Sequence, residues 1–159
     1  MPRIQCSPNL GAFLDMVGRS EGTPQVPGSD DGYNVLVGGT LFGEPPECYL
    51  DHPRELVVVR PGLMSTAAGR YQVLERYFDA YKKLLNLPDF GPESQDKIAI
   101  QQITESHALS AIEAGEFSLA MSLVAHIWAS LPSAGYGQRE NSLADLQAIY
   151  LAAGGRVRA

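Results

Sequence analysis

Leu10, Phe13, Leu14 and Val17 recur at the i, i+3, i+4, i+7 spacing of one helical face, and Glu21 continues that row four residues later. A helix with this pattern carries a carboxylate where an apolar residue is expected. The plainer reading of the same spacing is an ordinary helix-terminal Glu that reaches solvent. The local sequence is Ser20-Glu21-Gly22-Thr23, and Gly22 suits a left-handed stop just after the acid. Partial burial and the negative end of the helix dipole both disfavour the charged form, so both raise the pKa. A carboxylic acid in that state still holds a proton near neutral pH and can give it to a leaving group.

The rest of the chain divides by periodicity. Ser7-Pro8 makes a good N-cap and first position for a helix running to about Glu21. From Gly22 to Pro61 glycine and proline are dense, with strand-like pieces at Tyr33 to Val37 and Leu56 to Val59 between turn clusters. This predicts a small antiparallel sheet with long loops, among which Phe42 to Pro53 reads as an exposed functional loop. Helical spacing returns from Thr66. Tyr71, Leu74, Phe78, Tyr81 and Leu85 form one stripe, and Ala99, Ile103 and His107 a second. Ala120, Leu123, Ile127 and Leu131 form a third, and Leu143, Leu146 and Tyr150 close the chain. The expected architecture is α+β: one domain over 1–159, with a sheet and loop lobe at 22–61 and a helical lobe from 1–21 and 62–159. A cleft between the lobes would have the end of the first helix, and Glu21, in its floor.

Composition narrows the function classes. At 159 residues, 45% hydrophobic and 19% charged, the chain reads as globular and long enough to bury a core. No apolar run is long enough to span a membrane, and residues 1–8 lack the cationic and apolar regions of a secretory signal. Synthesis in a cytoplasm is expected, with no stable membrane insertion. A net charge of −6 argues against a nucleic-acid partner held through phosphates. The basic cluster Arg70, Arg76, Lys82 and Lys83 alternates with Glu75 and Asp79 and reads as a solvated helix face. Cys6 and Cys48 have no metal-spaced partners and read as free thiols. His52, His107 and His126 make no metal set, and Asp30-Asp31-Gly32 lacks the pattern of a calcium loop, so neither metal nor cofactor is expected. Ser20 has no His within its segment, and no nucleophile elbow is present.

Several segments in order resemble the lambda-type phage lysozymes, endolysins that cut peptidoglycan as lytic transglycosylases. They include Ala12-Phe13-Leu14-Asp15-Met16, Ser20-Glu21-Gly22-Thr23, Gly32-Tyr33-Asn34-Val35, Asp51-His52-Pro53-Arg54 and Ala68-Gly69-Arg70-Tyr71-Gln72. Val37-Gly38-Gly39, Ser65-Thr66, Gln101-Gln102-Ile103, Ile127-Trp128-Ala129-Ser130-Leu131-Pro132 and Gly135-Tyr136-Gly137-Gln138 complete the set. Each segment alone is weak, but the ordered series from about Leu10 to Val157 is specific. The resemblance implies a lysozyme-like fold, a monomer that takes peptidoglycan glycan strands, and Glu21 as the single catalytic acid. It implies action in the periplasm after release through a separate membrane pore.

The resemblance also implies sugar-binding roles. Gly69 would let backbone approach a sugar ring, and Gln72 and Gln101 each offer a donor and an acceptor to hydroxyl or acetamido groups. Tyr136, between Gly135 and Gly137, offers a flat face to a pyranose, whereas Tyr71, Tyr77, Tyr81 and Trp128 read as core. Asn34 stands where the lambda enzyme has Asp, on a strand expected to face the cleft. An amide can be neither nucleophile nor counter-charge, which favours a one-acid mechanism in which the substrate's own 6-hydroxyl attacks. Asp30, Asp31, Glu44, Glu47 and Asp51 are left as conceivable second carboxylates. A muramidase admitting water and a silent wall-binding module are the alternatives.

Overall fold

Helix α1 spans Pro8–Glu21 and starts where its first turn is capped: the Ser7 hydroxyl accepts from the Leu10 N–H at 3.1 Å, with Pro8 at the first position. It stops at Gly22, whose backbone is left-handed (φ 79°, ψ 2°) and whose N–H donates to the Arg19 carbonyl. The computed structural model describes residues 1–132 and 141–158. Every residue from Leu10 to Gly18 is buried, so α1 is the central helix around which the others assemble. Those are α2 (Glu75–Leu85), α3 (Pro92–Glu105), α4 (Leu109–Ala114), α5 (Phe117–Val124) and α6 (Leu143–Ala152). Helix α1 packs against α4 and α6, and Phe13 meets Phe117 of α5 and Tyr150 of α6 edge-on.

The sheet is smaller than the sequence suggests. Strands β1 (Val57–Arg60) and β2 (Leu63–Ser65) form one antiparallel hairpin, with Val57 opposite Ser65 and Val58 opposite Met64. It runs past the expected lobe boundary at Pro61. The Tyr33 to Val37 piece does not join it. Instead Val35 bridges Leu41 and Leu36 bridges Ala68. Tyr33, Asn34, Val35 and Leu36 are all buried, so this segment is enclosed on both sides rather than alternating between core and solvent. The presumed exposed loop is also partly interior. Tyr49 and His52 are buried, and the His52 ring lies against Phe78 and Phe90, which lowers its pKa chiefly by desolvation. Among the helical stripes, α2 begins after Tyr71 and Leu74, α3 ends before His107, and α5 ends before Ile127. No described helix is long and apolar enough to cross a membrane.

Arg70 corrects the reading of a solvated basic face. Its side chain is 0% exposed and lies upstream of α2. The guanidinium meets Asp15 Oδ1 at 2.6 Å and Asp31 Oδ1 at 2.8 Å, donates to the Asp31 carbonyl, and sits near the Tyr33 and Tyr71 rings. Asp15 belongs to α1, so the pair ties that helix to the segment leading out of the hairpin. Gly18 makes room for it, since a Cβ there would stand 2.9 Å from Arg70 Nε. Thr23, two residues beyond Glu21, closes the tie by donating to the Arg70 carbonyl at 2.7 Å.

The neighbouring polar residues are enclosed as well. Gln95 donates to the carbonyls of Tyr33 and Phe90 and accepts from the Arg70 N–H. Asp96 accepts from the Tyr33 and Tyr71 hydroxyls and from the backbone of Arg3 and Ile4. Removing one partner from a buried ion pair leaves the other charge uncompensated and costs about 3–5 kcal/mol. Arg70→Met is therefore expected to lower unfolding stability by about that amount in urea titration. A loss under about 1 kcal/mol, the range of an exposed charge, would contradict the buried tie.

Candidate active site

A cleft of about 1000 Å³ opens between the hairpin and the helices, and Glu21 lies in its lining. One wall is the hairpin, through Leu56, Val59, Leu63 and Met64. The opposite side is built from α2, from Gln102, Glu105 and Ser106 at the end of α3, and from His126 to Ala129. Tyr71 and Trp128 join these surfaces, with the Trp128 indole N–H donating to the Tyr71 carbonyl at 3.1 Å. The space combines apolar side chains with a few directed polar groups, the make-up of a ligand cleft.

Glu21 reaches this cleft because α1 ends there. Its carboxyl takes a hydrogen bond from the Ser130 hydroxyl, with 2.6 Å between Ser130 Oγ and Glu21 Oε1. Burial raises its pKa from 4.5 to about 7, and the Ser130 hydrogen bonds offset part of that rise. Near neutral pH the acid is thus divided between its two protonation states, the condition for giving a proton and taking one back.

The other carboxylates in the lining are engaged. Glu75 and Asp79 hold Arg54 at 3.0 and 2.6 Å, and Glu105 accepts from Tyr81 and Gln101. Of the five conceivable second carboxylates, none lines the cleft. Asp30 takes Arg3 and the Tyr49 hydroxyl, Asp31 takes Arg70, and Asp51 takes Arg54. Glu44 and Glu47 are exposed on the loop outside it.

The remaining expected site residues divide. Gln72 lines the cleft; its left-handed backbone (φ 52°) lets its amide donate to the Gly69 carbonyl at 3.0 Å. Asn34 does not face the cleft. It is 1% exposed, its Oδ1 accepts from the Asp30 N–H at 2.8 Å, and its Nδ2 donates to the Gly43 carbonyl at 3.0 Å, so the amide closes a loop. Gly69 is buried and left-handed (φ 81°), and a Cβ there would collide with the Gln95 amide. Its role is close packing of backbone on Gln95, and no sugar ring has access to it. Gln101 lies outside the lining and donates to Glu105 at 2.9 Å. Tyr136 lies outside the described residues.

Sequence reasoning missed two cleft residues and one that holds the acid. Gln102 takes the place expected of Gln101, and its Oε1 is enclosed without a hydrogen-bond partner among the described residues. It follows Ala99 by three positions on α3, a spacing that marks the shared face. Tyr77, expected in the core, is 45% exposed and stands in the cleft beneath the Arg76 guanidinium. Ser130 carries no local signal, being 109 residues from the acid it contacts.

The family model named Endolysin matches residues 11–157. The endolysin of Escherichia phage lambda is 51% identical over 92% of each chain, and that of Escherichia phage P2 is 48% identical over 98% of each. A solved structure of bacteriophage lambda lysozyme complexed with a chitohexasaccharide superposes with a TM-score of 0.91. It is 48% identical and covers 98% of this chain and 99% of its own. A second structure of lysozyme from bacteriophage lambda gives a TM-score of 0.87 at the same coverage. Fold and sequence agree over nearly the whole length: the chain belongs to the endolysin family.

Proposed function

We propose that this endolysin cleaves the bond between N-acetylmuramic acid and N-acetylglucosamine in peptidoglycan by lytic transglycosylation, with Glu21 as acid and then base. The observation that carries the reading is the lone half-buried Glu21, poised near pH 7, with every other described carboxylate of the cleft lining bound to a partner. Binding of a chitohexasaccharide by the lambda lysozyme supports a sugar chain as occupant of the cleft.

Glu21 protonates the glycosidic oxygen as the bond to the anomeric carbon breaks, leaving an oxocarbenium-like muramoyl centre. The resulting carboxylate takes the proton of that residue's own 6-hydroxyl while its oxygen bonds to the anomeric carbon. The acid is regenerated and a 1,6-anhydro end is left. A hydrolase of the two-carboxylate type would need a free carboxylate across the cleft to act as nucleophile or to activate water. The protein is proposed to be made in the host cytoplasm and to reach the wall through a separate membrane pore.

Two outcomes follow. Mass spectrometry of digested peptidoglycan should show soluble products one water lighter than hydrolysed ones, with anhydro-muramoyl ends. Reducing muramoyl ends alone would replace the transglycosylase with a muramidase.

The second concerns Glu21→Gln, which keeps the side-chain shape and an acceptor for Ser130. Lysis should fall by at least about 100-fold. Because the folded pKa lies above the unfolded one, native Glu21 destabilises the fold as pH climbs from 4.5, and the penalty levels off above about pH 7. At that plateau it is on the order of 3 kcal/mol. Gln carries no such penalty. The variant should melt several degrees higher than the parent at pH 7 to 8, with the gap closing toward pH 4. Equal melting at both pH values would show an acid without the raised pKa.

A further inference from the structure

Three side chains from two distant parts of the chain are hydrogen-bonded in series, and the last of them, Ser130, meets one oxygen of Glu21. Ser130 Oγ lies 2.6 Å from Glu21 Oε1 and 2.7 Å from Ser20 Oγ. Asn141 Nδ2 lies 3.1 Å from Ser20 Oγ, 3.3 Å from the Ser20 carbonyl and 3.2 Å from the Ser130 carbonyl. The Asn141 backbone N–H also donates to the Ser130 carbonyl at 2.9 Å. Carbonyl oxygens only accept, so the side-chain atom facing both of them is the amide nitrogen, a donor. Ser20 Oγ therefore accepts from Asn141 and spends its single proton on Ser130. Ser130 in turn spends its own on Glu21.

We propose that Asn141, Ser20 and Ser130 form a one-way hydrogen-bond chain that makes Glu21 Oε1 an acceptor only, so that the catalytic proton is held on Oε2. Ser130 is a positioning residue in this arrangement, and Ser20 and Asn141 act through it. The same oxygen that gives the proton to the leaving group is left to receive the next one, as acid-then-base use of a single carboxyl requires. The 2.6 Å contact is that of a charge-assisted bond once Glu21 ionises, and the hydroxyls behind it strengthen it. This inference rests on Glu21 as the acid. It holds whether the acceptor is the 6-hydroxyl or water.

The charged and titratable side chains that line the cleft with Glu21 include Arg60, Glu75, Arg76, Asp79, Glu105 and His126. The rise in the Glu21 pKa comes from burial, and the partial offset from Ser130. Cutting the chain at Ser130 removes the side-chain part of the offset and leaves the part from the Ser130 backbone. The protonated form is the active one at the start of the reaction, so its loss defines the alkaline limb of the pH profile of kcat/KM.

The test measures that profile on purified peptidoglycan, as initial rates at low substrate, for the parent, Ser130→Ala, Ser130→Thr and Ser20→Ala. Ser130→Ala should move the alkaline limb up by about one pH unit or more, the range for a hydrogen bond to a charged group. Its maximal rate should fall about tenfold or more as Oε1 and Oε2 become equivalent. Ser130→Thr, which keeps a hydroxyl, should return the limb to the parent position. Ser20→Ala leaves Ser130 in place and should give a smaller upward shift. An alkaline limb in Ser130→Ala that superimposes on the parent's would overturn the proposal, even if the rate falls. If Ser130→Ala does not fold, Ser20→Ala decides, and an unmoved limb there overturns it. Product masses from the same digests report the acceptor separately, so a failed transglycosylase reading and a failed positioning chain give different results.

Discussion

The ion pair between Arg70 and Asp15 decides where everything else in the site can stand. Asp15 lies in the middle of α1, the helix that ends at Glu21, and Arg70 precedes the Tyr71 and Gln72 that line the cleft. Burying a guanidinium is costly unless opposite charges meet it. Here two carboxylates and a backbone carbonyl meet its two terminal nitrogens, between two tyrosine rings, while Nε is enclosed without a hydrogen-bond partner among the described residues. The polar residues around it extend the lock. Gln95 holds the Arg70 N–H, and Asp96 collects the hydroxyls of Tyr33 and Tyr71. The pieces from the glycine-rich segment are thus bound to α1 and α3 by a polar interior, because the hairpin is too small to organise them.

With α1 fixed in this way, its last residue is delivered to the cleft floor. The carboxyl is held out of water, which raises its pKa, and one hydroxyl meets it, which limits the rise. The balance matters chemically. Full desolvation without a partner would keep the acid protonated and useless as a base, whereas full solvation would keep it ionised and useless as an acid. Occupation of the neighbouring carboxylates by Arg54, Tyr81 and Gln101 leaves Glu21 as the group able to serve both roles.

What was legible in the sequence was local. The α1 stripe, its Ser7 cap, its Gly22 stop and the raised acid at its end all follow from spacing and residue type within 15 positions. What was not legible depends on partners far along the chain. Arg70 looked solvated beside Glu75 and Asp79, yet its partners Asp15 and Asp31 lie 55 and 39 residues away. Asn34 looked like a cleft residue because Asp is its counterpart, but the contacts that engage it come from Asp30 and Gly43 backbone. Gln101 and Gln102 differ by one helical step, about 100°, and that step decides which one meets the cleft. Tyr77 reads as core in the sequence, alongside Tyr71 and Tyr81 on the helical stripe. Its exposure on the cleft follows from α2 standing across the cleft from the hairpin, which no local pattern encodes.

The central claim is that Glu21 holds a proton near neutral pH in the free enzyme. A ¹³C titration of its side-chain carboxyl, in protein labelled at glutamate and assigned by comparison with Glu21→Gln, reads this directly. The account predicts a midpoint near pH 7 for one carboxyl resonance that is missing from the variant. A midpoint near the ordinary value of 4.5 would contradict it, because the acid would then be ionised before any substrate arrived.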